Sequence, residues 1–313
     1  MNNSLKDFTE YRSRLLNDVI LPIGISVGIL VNISVIFIWV FGPKSRSLSC
    51  ATYFAANAMA DFLTLSIVGL CNIICFIHFN KNCYYSDMIC KIDNYIQGVL
   101  FMITNWISTA ITVERALTIL FPLKFRSQDM SRNSKYAIPI IIVLALLGNI
   151  PEIFIVEQME GTLFCSMLKN YAIYKIIQLI VRIFLPFIVI VIFNSCTIAT
   201  LCKQRRNSVS ANQGIYVHVF TKLTIVTGFS FVVSNTTGIV FAIWHLFGKY
   251  FLAEIDLNEY LLMLDLGQTM FYLNSLMNPI ICVLICKSMI DDIRTFGQRF
   301  LPVFRWGQHG ITT

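Results

Sequence analysis

The sequence has few charged residues. Asp, Glu, Lys and Arg together make up 13% of the 313 residues, about half of their share in an ordinary soluble domain. Hydrophobic residues make up 56%. Because so few charges cannot cover a globular surface of this size, the composition excludes a water-soluble domain and predicts lipid as the main solvent of the chain.

Motifs of enzymes are absent too. The apolar segments contain no His-Glu-x-x-His, no Gly-x-Ser-x-Gly and no pair of catalytic aspartates, so we predict that the protein is not an enzyme. No internal repeat and no pair of segments broken by Gly or Pro is visible, which argues against a transporter. A transporter or channel that uses Asp61 and Arg182 as a charge relay is the alternative from another class.

Seven apolar runs are each long enough to cross a hydrocarbon core of about 30 Å as a helix. In lipid, a helix satisfies its backbone hydrogen bonds internally, so we predict an all-α bundle of seven transmembrane helices. Spans one to seven are expected at Asp18–Phe41, Ala51–Ile77, Met88–Phe121, Lys135–Ile155, Tyr171–Cys202, Tyr216–Phe247 and Glu259–Cys286.

Short segments flank this domain, which covers residues 18–286. Met1–Asn17 is polar and lacks the features of a signal peptide, so span one is expected to direct membrane insertion. The segment Lys287–Phe300 carries apolar residues at helical spacing among charges, which predicts an amphipathic helix on the inner leaflet of the lipid. Residues 287–313 thus form this helix and a cytoplasmic tail.

Charge distribution predicts the orientation. With the N-terminus outside, the inner segments are rich in Lys and Arg and hold few acids, while the outer segments are acidic, as expected for a multi-pass protein of the plasma membrane. This topology accounts for the net charge of +7, so a nucleic-acid partner is not needed to explain it.

Motifs in spans three and seven identify a family. Span three contains Glu114-Arg115-Ala116, and Phe121-Pro122-Leu123 follows after four further residues; span seven contains Asn274-Ser-Leu-Met-Asn278-Pro279. Both resemble motifs of rhodopsin-like G-protein-coupled receptors, and the chain looks most similar to the neuropeptide receptors among them. Further intramembrane positions of the family are matched by Asn32, Asp61 and Pro186.

The sequence also departs from the family pattern. In span six, Asn235 stands in place of the family's tryptophan and Thr237 in place of its proline. Ala116 and Cys282 each replace a tyrosine. Loss of the proline removes the expected cause of a kink in span six, and a receptor that no longer signals is therefore a further alternative.

The resemblance implies a heterotrimeric G protein as the intracellular partner. It assigns G-protein coupling to Glu114, Arg115 and Leu123, with Glu114 able to pair with Arg115 at rest. It assigns the activation switch to Phe231, Asn274, Asn278 and Pro279. It also implies a disulfide between Cys90, at the outer end of span three, and Cys165 in the second outer loop.

Asp61 is costly to place near the middle of a membrane and is therefore a candidate functional residue. In the family, the aspartate at this position and the polar residues around it hold an allosteric sodium ion. The corresponding residues here are Asp61, Thr104, Asn274 and Asn278. The alternative is an interhelical hydrogen-bond network that holds no ion. No other cofactor is expected.

Two ligand classes are excluded by the resemblance. Gln97 stands where amine receptors carry an aspartate, and Tyr272 stands where visual pigments carry the retinal lysine, so neither a small amine nor retinal is expected. The favoured extracellular ligand is a short neuropeptide, and the alternative is a small molecule sensed by a chemosensory receptor. The candidate ligand-binding residues are Gln97, Gln178, Arg182, His245, Gln268 and Tyr272.

Arg182 has two predicted roles that the sequence does not separate. As an arginine within span five it should face the protein interior, where it either binds an oxygen of the ligand or pairs with Asp265 or Glu152.

The sequence contains two candidate modification sites. Asn2 begins a glycosylation sequon, and Cys286 is a juxtamembrane cysteine suited to palmitoylation.

Overall fold

The computed structural model describes most of the helical bundle: residues 19–46, 51–70, 87–121, 124, 127–158, 165–167, 172–206, 225–226, 228–233, 235–236, 269, 272–284 and 289–296. Its helices and strands are Leu21–Phe41, Pro43–Arg46, Ala51–Leu63, Thr64–Gly69, Asp87–Leu120, Ser127–Asn149, Glu152–Ile155, Val156–Gln158 (β1), Cys165–Met167 (β2), Ala172–Leu179, Ile180–Phe184, Leu185–Arg206, Tyr272–Leu284 and Met289–Phe296.

Five helices of the described part are long and apolar enough to cross a membrane, and they correspond to spans one to five. A sixth is obtained if Tyr272–Leu284 and Met289–Phe296 are taken as one bent segment, with 80° between its two parts. Such an angle suits a span followed by a helix along the membrane surface. Most of the predicted span six, together with the two chain ends, lies outside the described residues.

Span three is the centre of the bundle. Its helix has 34 residues, which at about 1.5 Å per residue is longer than a bilayer core is thick. Of its most apolar stretch 61% is buried, against 11% for span five, and it packs against spans two, four and five. Cys90 and Arg115 lie near its opposite ends, the Cys90 end and the Arg115 end of the bundle.

The bundle has an apolar outer surface and a mixed interior. Large apolar side chains such as Leu30 and Leu147 are more than half exposed, as expected for residues that face lipid. The interior contains a hydrophobic cluster in which Trp39 stacks on Phe54 with 5.3 Å between ring centroids. Polar residues from several spans are buried beside this cluster, and they form the candidate sites.

Two spans contain a π-helical turn. Span two changes to a π-helix at Thr64–Gly69, just after Asp61, and span five does so at Ile180–Phe184, around Arg182. The wider turn shifts the faces of a helix relative to the preceding residues, and such turns are frequent at functional sites.

A buried aspartate joins the segment after span one to the helix after span seven. The Asp292 carboxylate accepts hydrogen bonds from the backbone N–H of Ser45 at 2.8 Å, its hydroxyl at 2.7 Å and the N–H of Lys44 at 3.3 Å. Such N–H groups have no partner within the first turn of a helix. A Cβ at Gly42 would lie 2.5 Å from Asp292 Oδ2, so this close approach requires glycine.

Replacing this carboxylate should destabilise the protein. Asp292→Ala leaves buried N–H groups without an acceptor, which typically costs about 1–3 kcal/mol, so we expect a lower melting temperature of the detergent-solubilised protein. The matched control is Asp291→Ala, since Asp291 pairs with Lys44 at 3.2 Å in a solvent-exposed ion pair, a kind that contributes about 1 kcal/mol or less. Equal melting temperatures for the two variants would contradict this account.

Candidate functional site

At the Arg115 end, Glu114 of the Glu-Arg motif bonds to span two. The Tyr53 hydroxyl donates a hydrogen bond to Glu114 Oε1 at 2.6 Å, and the charge of Arg115 acts on the same carboxylate. Tyr53 is 1% exposed. Its role was not predicted, because a tyrosine in an apolar run carries no signal that distinguishes it from a core residue. Leu123 lies outside the described residues.

In the middle of the bundle, Asp61 is the hub of a polar network. It is fully buried, and its Oδ2 accepts hydrogen bonds from Asn57 Nδ2 at 3.0 Å and from Asn278 Nδ2 at 3.2 Å. The Ser108 hydroxyl extends the network to span three by donating to Asn57 Oδ1 at 3.3 Å. Nearby, Asn32 Nδ2 bonds to the backbone oxygen of Ser275 at 3.1 Å. Spans one, two, three and seven are thus joined by side-chain bonds.

The other oxygen of Asp61 lies among buried oxygen atoms of neighbouring side chains. Asp61 Oδ1, Thr104 Oγ1, Ser275 Oγ and Asn274 Oδ1 are all buried, and none of them makes a hydrogen bond of ordinary geometry. The hydroxyls of Thr104 and Ser275 face the Asp61 carboxyl group. Oxygen atoms of this kind suit a hard cation, so the residues present fit the sodium ion that the resemblance implies. The sequence did not single out Asn57 and Ser275.

A small cavity adjoins Asp61 on the side of Asn57, Ser108, Asn278 and Cys282. The cavity has a volume of about 20 Å³, which is enough for about one water molecule.

The predicted switch residues are all buried. Phe231, Asn274 and Asn278 are at most 7% exposed, and Pro279 lines the cavity. Asn235, which stands in place of the family's tryptophan, donates its side-chain N–H to the backbone oxygen of Phe231 at 2.9 Å. Its amide is therefore satisfied within its own helix.

Toward the Cys90 end, the half-buried Arg182 forms an ion pair with the buried Glu152, and this pair joins spans four and five. Its guanidinium lies 2.5 Å from Glu152 Oε1 and also donates to Asn149 Oδ1. Asn105 of span three donates to the backbone oxygen of Arg182 at 2.8 Å. Of the two roles predicted for Arg182, this geometry favours pairing with Glu152.

The other candidate ligand-binding residues have different surroundings. Gln178 donates to the backbone oxygen of Gly148 at 2.8 Å and lies 2.5 Å from the Tyr174 hydroxyl. Tyr272 is buried in an apolar cluster with Leu100, and Gln97 is half-buried on span three. His245 and Gln268 lie outside the described residues.

Cys90 is fully buried and disulfide-bonded. It packs against Ile155 and Val156, at the start of β1. β1 pairs with β2 in an antiparallel register that places Gln158 opposite Cys165. The backbone of Cys165 therefore belongs to a hairpin that packs on this end of span three, and Cys165 as the partner of Cys90 stays a prediction.

A bundle of apolar helices with polar groups buried between them, and a Glu-Arg pair toward one end of the central helix, defines a multi-pass membrane protein. Residues 31–281 match the family model described as 7 transmembrane receptor (rhodopsin family), so the chain belongs to this family. The family predicted from the motifs and the all-α membrane fold are thereby confirmed. Its members are receptors and not enzymes.

Individual relatives are distant. The chain is 24% identical over 285 residues to chemerin-like receptor 2 of Macaca mulatta, which covers 87% of this chain and 76% of the relative. It is 27% identical over 233 residues to an FMRFamide peptide receptor of Caenorhabditis elegans, covering 67% and 52%. It is 25% identical over 211 residues to a purinoceptor of Bos taurus, covering 64% and 55%.

Gly98 makes room for the Arg182–Glu152 pair, because a Cβ there would lie 2.5 Å from both Arg182 Nη2 and Glu152 Oε2. We expect Gly98→Ala to displace the pair and to lower the free energy of unfolding by about 1–3 kcal/mol, the usual cost of overpacking. The melting temperature should fall accordingly. Gly148→Ala is the control, since its Cβ would meet only Met102 Sδ at 3.9 Å. If both variants melt like the wild type, the pair does not depend on this glycine.

Proposed function

We propose that this receptor lies in the plasma membrane with its N-terminus outside and converts binding of a short extracellular peptide into activation of a heterotrimeric G protein. The observation that carries the ligand class is the ion pair between Arg182 and Glu152. Membership in a receptor family favours this function over the transporter or channel alternative.

The charges at the Cys90 end disfavour a strongly anionic ligand. Arg182 is engaged by Glu152, and Lys91 lies 2.5 Å from Asp87, so each of these cations has an acid beside it. A phosphate-bearing ligand that used Arg182 would have to displace a buried carboxylate, and leaving one charge of a buried pair unpaired costs about 3–5 kcal/mol. A peptide without net negative charge carries no such penalty.

The names of the relatives refer to several classes of ligand. One is named for chemerin and one for FMRFamide peptide, while others are named for lysophosphatidic acid and purines. The peptide names agree with the charge argument. A small-molecule sensor is the second candidate, supported by the lipid and purine names alone.

The first experiment is nucleotide exchange on G proteins in membranes that contain the receptor, without ligand and with panels of peptides, lysophospholipids and nucleotides. We expect a peptide response that Arg115→Ala reduces more than tenfold, since truncating an arginine that is a hot spot of an interface costs at least about 2 kcal/mol. Arg294→Ala, an exposed arginine after span seven, is the control and should retain the response.

The outcomes separate the candidates. A response to lysophospholipids or nucleotides alone would replace the peptide proposal with the small-molecule sensor. Silence of a surface-expressed receptor across the panels, with no ligand-independent exchange, would overturn the signalling function.

We further propose that Asp61 Oδ1, Thr104 Oγ1 and Ser275 Oγ hold a sodium ion, with Asn274 and Asn278 beside them as the sequence predicted. The support is the group of buried oxygens around a buried carboxylate, none of which makes a hydrogen bond of ordinary geometry. When bound, the ion would supply a positive charge that neutralises Asp61. Asn57 and Asn278 keep the other carboxylate oxygen in place by their hydrogen bonds.

Sodium should therefore stabilise the purified receptor. A cation at ten times its dissociation constant adds about 1.4 kcal/mol, so we expect a higher melting temperature in sodium chloride than in choline chloride of equal ionic strength. Asp61→Asn should remove this difference, while Asp291→Asn should retain it. A wild type that melts equally in both salts would leave Asp61 as a hydrogen-bonding residue that holds no ion.

A further inference from the structure

Tyr53 is the residue through which span two contacts the Glu-Arg motif. Its ring is buried in the hydrophobic cluster that contains Phe54 and Trp39, and its hydroxyl reaches Glu114 Oε1 at 2.6 Å. The ring is therefore held by packing on span two, and its hydroxyl is directed at a side chain of span three.

Glu114 depends on this hydroxyl. Its second oxygen, Oε2, is buried and has no hydrogen-bond partner, and the next residue but one is Ala116, which carries no hydroxyl. A hydrogen bond to a charged group contributes more than one between neutral groups. Tyr53 thus supplies a strong interaction to a carboxylate that has few others.

We propose that Tyr53 is a positioning residue that holds Glu114, and through its charge Arg115, in the resting arrangement, and that this hydrogen bond is broken on activation. The inference rests on the proposed function of Glu114 and Arg115 in G-protein coupling. The hydroxyl of Tyr53 in span two acts on Glu114, the first residue of the motif. The third residue of the motif is Ala116, which has no hydroxyl.

Tyr53 can restrain Arg115 because Glu114 lies between them: Tyr53 bonds to Glu114, and the charge of Arg115 acts on Glu114. Arg115 must be released to contact a G protein. A carboxylate fixed to span two keeps its negative charge in one place and so retains the arginine beside it. Removing the hydroxyl frees the carboxylate without changing the packing of the ring.

The test is a double-mutant cycle on ligand-independent nucleotide exchange, with the purified receptor in lipid nanodiscs and a purified heterotrimeric G protein as the probe. If only the resting state has the bond, which joins a hydroxyl to a charged group, Tyr53→Phe shifts the equilibrium by about tenfold or more. We expect a rise in basal exchange of about tenfold. In the Glu114→Gln background the same change should add little, since residues that act as one unit are not additive.

The matched control is Tyr136→Phe, which removes a hydroxyl from a tyrosine that is 63% exposed on span four. It should leave basal exchange unchanged. If the loss of any tyrosine hydroxyl raised basal exchange, this variant would raise it too. Non-additivity with Glu114→Gln distinguishes positioning from a general loss of stability, which would lower exchange in both backgrounds.

Each outcome decides the inference. Unchanged or reduced exchange in Tyr53→Phe, or equal effects of Tyr53→Phe with and without Glu114→Gln, would overturn it while leaving the proposed function intact. A wild-type receptor that catalyses no exchange, with or without the ligand panels, would overturn the proposed function and the inference with it. Elevated, non-additive exchange would establish Tyr53 as a restraint on the motif.

Discussion

Buried charges in this bundle must find their partners within the protein, because the surrounding lipid offers none. A charged side chain in the centre of a membrane helix costs about 2.5–3.5 kcal/mol on insertion scales. Asp61, Glu114 and Arg182 each meet this constraint through a side chain from another span. The polar contacts therefore decide which faces of the helices meet, while the apolar surface alone would accept many arrangements.

These contacts lie at successive depths along span three, which explains why that helix is the centre of the bundle. Glu114 meets span two at one end, Ser108 joins the Asp61 network in the middle, and Asn105 bonds to the backbone oxygen of Arg182 in span five. A movement of span three would have to alter several of them together. Such linked polar contacts are a physical route by which two ends of a helix bundle influence each other.

The departures from the family pattern have local compensations in the structure. Asn235, in place of a tryptophan, bonds to its own helix. Ala116, in place of a tyrosine, is fully buried, and a tyrosine hydroxyl reaches the motif from Tyr53 instead. Asn235 is therefore accommodated by a bond within its own helix, and Ala116 by burial.

The sequence by itself determined the membrane class, the helical fold, the family and the buried polar residues to examine, because apolar runs and motif spacing are properties of short segments. Asp61 and Arg182 could be named in advance since charge in an apolar run is costly wherever it packs. Only the tertiary structure decided which side chains from other spans they meet: Asn278 for Asp61, Glu152 for Arg182 and Tyr53 for Glu114. Partner choice depends on helix rotation, on the π-helical turn around Arg182 and on the space left by Gly98, which arise from packing between spans distant in the chain.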